Sequence, residues 1–116
     1  EFIMLTGEDS NALEFNKRGG TGCISVTANI APKLCSEMQN ASLAKSDEKL
    51  QKRANEINKL LTPLNKSLFI ESNPSPVKYA ASLLKLSTED VRLPLVNITD
   101  PTKHEVLQAL KYAQLI

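Results

Sequence analysis

Apolar residues are arranged in two ways along this chain, and the change comes near Ala28. Phe2–Leu5 is a short continuous apolar run, and Cys23–Val26 is a second run with Ser25 inside it. Short runs of this kind suit strands of a parallel sheet that is covered on both faces. Between them Ala12, Leu13 and Phe15 have the spacing of a short helix, with Asp9 or Ser10 as its cap. Gly7, Glu8 and Asp9 end the first run, and Gly19 stands where a helix stops on a left-handed residue. The first 28 residues therefore read as strand–helix–strand with a short crossover, which implies adjacent parallel strands.

Beyond Ala28 the pattern is helical. Pro32 suits a first turn, with Leu34, Met38 and Ala41 following on one face. Asp47 can cap the next helix, where Leu50, Ala54, Ile57, Leu61, Leu64 and Leu68 recur at intervals of 4, 3, 4, 3 and 4. Pro63 falls inside that stripe and is expected to kink or interrupt the helix. Glu71–Pro76 reads as a rigid loop and Val77–Leu84 as a helix. Val91–Leu95 is expected to be extended, because Pro94 disfavours the helical region at Leu93. Asp100 and Pro101 form a cap and first turn, and Val106, Leu107, Leu110 and Ala113 line the last helix.

Two strands cannot cover both of their own faces. A parallel pair followed by helices is the pattern of the end of a (β/α)8 barrel, a fold of about 250 residues. A chain that opens almost at once on a core strand is expected to begin inside a larger protein. The expected fold class is α/β, the C-terminal portion of a (β/α)8 TIM barrel. Residues 1–30 would supply the last two barrel strands with their connecting helix, and residues 31–116 a C-terminal helical region, with the upstream strands absent.

Composition removes several function classes. The net charge is +1 and lysines are interspersed with glutamates, so there is no electrostatic case for nucleic acid or an acidic membrane surface. With no Trp, three Phe and two Tyr, a base-stacking platform is not expected. No apolar run reaches the length of a membrane span and no signal-peptide pattern is present, so a soluble protein is expected. Cys23 and Cys35 read as reduced thiols of a cytoplasmic protein and not as a disulfide or metal site. The sequons at Asn40, Asn65 and Asn97 carry no weight without a secretory signal.

Candidate chemistry starts with the glycines. A phosphate-binding loop follows a strand and precedes a helix, so that helix amides point at the anion. Gly19, Gly20 and Gly22 lie the other way round, after a helix and before a strand, and no Lys–Ser pair follows them. They read as a tight turn at the barrel floor. In a barrel of this kind chemistry sits at the carboxyl ends of the strands, here Thr6–Asp9 and Ser25–Asn29. Glu8 and Asp9 are a possible acid/base pair, but adjacent residues seldom face one point and Asp9 has a capping role. Ser25 and Thr27 would need a base, and the lone histidine, His104, falls in the first turns of the last helix, where a solvated position is expected. No lysine lies in either strand; Lys17 and Lys33 belong to helices or their ends. A Schiff base needs a lysine in a dry pocket, and Lys78, flanked by prolines, is the least unsuitable candidate, with a structural role preferred.

Several phrases together resemble the C-terminal part of the dihydrodipicolinate synthase (4-hydroxy-tetrahydrodipicolinate synthase) family. They are LTGED, GGTGCISVTANIAP, LFIESNPSPVKYA and VRLPL, matching in order and spacing from Phe2 to the end. The phrases SVTAN and NPSPVK favour this family over two relatives, N-acetylneuraminate lyase and the 2-keto-3-deoxy-sugar-acid aldolases. The resemblance implies a TIM barrel with extra C-terminal helices, assembled as a homotetramer in the cytoplasm. It implies a class I aldolase-type lyase in which pyruvate forms a Schiff base with a lysine. The enamine then attacks aspartate semialdehyde, and the product enters diaminopimelate and lysine biosynthesis. No metal or organic cofactor is implied. Two substrate-binding positions carry over: Gly7, the glycine that ends the seventh strand, and Ile24, whose main chain on the eighth strand lines the pyruvate site. The family usually has two aspartates after that glycine; Glu8 is a mild departure. No catalytic residue carries over, since the Schiff-base lysine, the proton relay and the carboxylate-binding arginine belong to earlier strands. A non-catalytic interaction module whose partner covers the strands is the reading from another class.

Two outcomes are expected of the isolated 116-residue chain. Treated with pyruvate and borohydride and weighed intact, it should carry no pyruvyl adduct. Its thermal unfolding should lack a sharp cooperative transition, because the strand faces have nothing to cover them.

Overall fold

The computed structural model describes residues 2–116. It divides into two compact units, Glu1–Thr62 and Pro63–Ile116. Helices run over Ala12–Lys17 (α1), Pro32–Leu43 (α2), Glu48–Ser67 (α3), Ser75–Leu83 (α4) and Asp100–Tyr112 (α5). Short 3-10 turns occupy Asp9–Asn11 and Thr27–Asn29.

In the first unit the two apolar runs lie parallel, but among the described residues their pairing is a single bridge, Thr6 with Cys23. The Thr6 N–H donates to the Gly22 carbonyl at 3.0 Å, and the Ile24 N–H to the Thr6 carbonyl at 2.8 Å. Full strands over Phe2–Leu5 and Cys23–Val26 were the expectation. The second run instead bends at Val26, which adopts a helical conformation (φ −74°, ψ −44°). Phe2, Ile3, Leu5 and Ile24 are 88%, 70%, 52% and 71% exposed. A strand buried on two faces needs neighbours on both flanks, and here each run has only the other.

The crossover is built as its sequence suggests. Ala12 and Leu13 are buried, and α1 packs against α2. At the end of α1, Gly19 takes φ +112°, its N–H donates to Asn16 O, and the Gly20 N–H donates to Phe15 O. This is the paired hydrogen-bond pattern that closes a helix on a left-handed glycine. Gly20 is required for a second reason: a Cβ there would overlap the Phe15 ring. The cap of the first turn differs from the expectation of Asp9 or Ser10. Glu8 caps it, accepting from the Ser10 N–H at 3.3 Å and its hydroxyl at 2.8 Å.

Pro32 is in the first turn of α2, whose buried positions are Cys35, Met38, Ala41 and Ser42. Asp47 caps α3 by accepting from the Leu50 N–H at 3.0 Å. The Gln51 amide reaches back to the carbonyls of Ala41, Ser42 and Ala44 at 3.0–3.2 Å. It supplies donors to the end of α2, where backbone acceptors lack helical partners. Ala54, Ile57, Leu61, Leu64 and Leu68 are all buried, and Leu50 is exposed. Pro63 does not interrupt the helix, which continues to Ser67. Burial along the stripe outweighs the one backbone bond that proline removes.

In the second unit α4 begins at Ser75, so Ser75 and Pro76 belong to the helix and not to the preceding loop. The segment Val91–Leu95 turns at Leu93–Pro94, closed by the Leu95 N–H on the Arg92 carbonyl, where extended chain was expected. Helices α4 and α5 pack together through buried Val77, Ala80, Val106, Ala109 and Leu110. Thr99, not Asp100, occupies the cap position of α5. Its N–H and hydroxyl both donate to the Glu71 carboxylate at 2.9 Å. Hydrogen bonds from Thr102 and Thr99 hold that carboxyl below its ordinary value, in a position that also suits the positive end of the helix dipole.

In a complete barrel that contains residues 1–116, Gly20→Ala is expected to destabilise the fold by about 1–3 kcal/mol through overpacking on Phe15, read from denaturant unfolding. Glu71 has a lowered folded-state pKa, so its contribution is present above the ordinary value of 4.5 and lost as pH falls through the folded value. In the same complete barrel, Glu71→Gln should therefore flatten the acid limb of a plot of unfolding midpoint against pH.

Candidate functional site

The candidate site is the place where the two parallel runs end side by side. Gly7 follows Thr6 and Ile24 follows Cys23, so the bridge sets these two residues at the same end of the pair. In a continued parallel ladder the Glu8 N–H would donate to the Ile24 carbonyl. The Thr6 hydroxyl intercepts it, accepting from the Glu8 N–H at 3.1 Å while donating to Asn11 Oδ1 at 2.8 Å. The ladder therefore opens after Gly7. The Ile24 N–H stays bound to Thr6 O, and the Ile24 carbonyl accepts no hydrogen bond among the described residues. Gly7 faces open space: a Cβ built there meets no heavy atom within 4 Å.

Behind this opening lies Asp9, 6% exposed. Its Oδ2 accepts from the backbone N–H groups of Val26 at 2.9 Å and Thr27 at 3.1 Å. Its Oδ1 accepts from the Ser25 hydroxyl and lies 3.9 Å from the Cys23 sulfur. The Ser25 oxygen in turn accepts from the Ala28 N–H at 2.9 Å, which directs the serine proton toward Asp9. Asp9 does cap a turn, but it is the Thr27–Asn29 turn across the crossover, whose first amides it satisfies.

The thiols beside Asp9 are not poised for chemistry. Burial, with the Asp9 carboxylate adding to it, pushes both Cys23 and Cys35 up to about 11. A thiol with so high a pKa is a poor nucleophile at neutral pH. Both cysteines are free, and no group of three or more His, Cys, Asp or Glu residues suited to a metal ion occurs among the described residues.

The other sequence candidates are scattered. Glu8 and Asp9 do not act at one point: Glu8 faces Ser10, and Asp9 faces the second run. His104 is exposed on α5, and Lys17 donates to Asn55 at 3.2 Å on the surface of the first unit. Lys78 lies on α4 in the second unit. No helix of the described residues is long and apolar enough to cross a membrane. Sequence reasoning missed the Thr6 hydroxyl and the reach of the Asp9 carboxylate. Asp9's partners lie 14 to 18 residues away, and only the crossover brings them together.

A sequence model described as the Dihydrodipicolinate synthetase family matches residues 1–113. The 4-hydroxy-tetrahydrodipicolinate synthase of Pelagibacter ubique is 61% identical over 117 residues, which covers 100% of this chain and 39% of that protein. The synthase of Methylobacterium radiotolerans is 51% identical, over 99% of this chain and 37% of its own length. Among solved structures, the chloride-inhibited dihydrodipicolinate synthase of Acinetobacter baumannii in complex with pyruvate superposes with a TM-score of 0.90 at 37% identity, covering 99% of this chain and 38% of that one. The chain thus spans well under half the length of the relatives it matches, and it corresponds to the C-terminal part of a TIM-barrel enzyme. With its parallel strand ends, its glycine-closed crossover and these similarities, the chain belongs to the dihydrodipicolinate synthetase family.

Proposed function

We propose that this chain forms the closing segment of a 4-hydroxy-tetrahydrodipicolinate synthase, a lyase that condenses pyruvate with aspartate semialdehyde. The observation that carries the reading is the opened ladder at Gly7 and Ile24. It leaves a backbone carbonyl without a partner at the carboxyl end of two parallel runs, the end at which barrel enzymes bind substrate. Gly7 keeps the approach clear of side-chain atoms, and the Ile24 main chain lines the pyruvate position.

In this reading the exposed apolar face of Phe2, Ile3, Leu5 and Ile24 is covered by the other strands and helices of the barrel. The lysine that forms the Schiff base also comes from there. Its amine adds to the pyruvate ketone and water leaves, giving an imine. Loss of a methyl proton gives the enamine, which attacks the aldehyde. In this reading neither the thiols, held protonated, nor the Ser25 hydroxyl, committed to Asp9, acts as the nucleophile. A homotetramer in the cytoplasm, feeding diaminopimelate and lysine synthesis, completes the proposal.

The test uses a complete barrel in which residues 1–116 replace the matching 39% of the Pelagibacter ubique synthase. Pyruvate and borohydride should leave a reduced adduct on a lysine outside these residues, located by peptide mass mapping. An adduct on Lys78 or another lysine of this segment, or none at all, would overturn the reading.

A further inference from the structure

The carboxylate of Asp9 has no part in the chemistry proposed above, yet it is buried and holds partners on both sides of Ile24. On one side is the Cys23 thiol; on the other are the Ser25 hydroxyl and the amides of Val26 and Thr27. Ile24 itself is 71% exposed, so little side-chain burial holds it. Among the described residues its one backbone hydrogen bond runs from its N–H to the Thr6 carbonyl at 2.8 Å. The direction of its free carbonyl is therefore set by the residues on either side, and those residues are held by Asp9.

We infer that Asp9 is a positioning residue that fixes the Ile24 main chain at the pyruvate end of the site. The inference rests on the reading of the chain as part of a pyruvate-condensing enzyme. The physical basis is the geometry of the carboxylate. Two oxygens accept from a hydroxyl and two consecutive amides, which pins both the position and the orientation of the Ser25–Thr27 peptides. Hydrogen bonds to an ionised acceptor are about twice as strong as neutral ones. The Ala28 N–H on the Ser25 oxygen fixes the serine proton toward Asp9, so the serine cannot turn away without losing a second bond. An asparagine of the same shape would present N–H groups to at least one of these donors and break the set. Because the anchored residues follow Ile24 directly, a displacement of the turn is transmitted along the backbone to its carbonyl.

The role differs from general stabilisation in what it predicts. Loosening the turn should weaken pyruvate binding, while the semialdehyde, which arrives after the imine has formed, is affected less. The experiment uses the same complete barrel carrying residues 1–116, with Asp9→Asn and Ser25→Ala compared with the unsubstituted protein. Steady-state kinetics should show the pyruvate KM of Asp9→Asn raised about tenfold or more, as expected for a misplaced binding group. The semialdehyde KM should change by less than about a third of that factor. Amide exchange followed by mass spectrometry should show faster exchange at Ile24, Val26 and Thr27.

A folded Asp9→Asn protein with unchanged pyruvate KM, or with both KM values raised equally, would overturn the inference. Should Asp9→Asn fail to fold, Ser25→Ala decides. It keeps the carboxylate and both backbone bonds, and should raise the pyruvate KM in the same direction by about twofold or more; no change would overturn the inference. If the unsubstituted barrel does not condense pyruvate, the functional reading falls by itself. Amide exchange then decides this inference: faster exchange at Ile24 in the Asp9→Asn protein supports it, and unchanged exchange overturns it.

Discussion

Backbone groups at the end of a parallel pair must find partners or be left for a ligand, and in this chain that constraint is met by two side chains. The Thr6 hydroxyl takes the Glu8 N–H, and the buried Asp9 carboxylate takes the amides of Val26 and Thr27. Without the first, the ladder would continue through Ile24. Without the second, the chain would have no reason to leave the extended conformation at Val26 and turn into the Thr27–Asn29 segment. That turn delivers the chain to Ala31 and Pro32, where α2 begins. The local geometry of the site and the start of the helical region thus depend on the same short set of hydrogen bonds.

The crossover has to return the chain to the start of the second run within a few residues, and its glycines serve that return. Gly19 supplies the left-handed residue that closes α1, and Gly20 allows the Phe15 ring to lie against the backbone. This gives a physical account of a glycine cluster that superficially resembles a phosphate loop. The cluster follows a helix, so no helix N-terminus points its amides outward. In (β/α)8 barrels chemistry lies at the opposite end, where substrate meets the carboxyl ends of the strands.

The two units use different means to finish their helices. In the first, Gln51 donates to the last carbonyls of α2, and Asp47 caps α3. In the second, the Glu71 carboxylate serves α5 through Thr99. Each arrangement satisfies groups that a helix end leaves unpaired. The Lys103 ammonium likewise has a carboxylate partner, Glu89 at 3.0 Å, and lies 5.0 Å from the centre of the Tyr79 ring. Such a cation over an aromatic face adds a modest attraction.

The amphipathic stripe of α3, the proline starts of α2 and α5 and the glycine stop at Gly19 were legible in the sequence, because each depends on residues within a turn or two of one another. The family was legible for the same reason: its phrases are local. Pro63 shows where local rules stop, since the burial of Leu61, Leu64 and Leu68 carries the helix through it. The Asp9 carboxylate shows it again. Its sequence neighbours mark it as a cap, and it is one, but for a turn 16 to 18 residues away. Which backbone a buried carboxylate reaches is decided by how the crossover folds back, and the short-range pattern of residue types holds no record of that. The chain by itself determined the helices and the fold class, but not the extent of the two strands. Tertiary structure alone decided where the ladder opens, because that depends on which of two competing acceptors, a hydroxyl or a carbonyl, stands nearer to one amide.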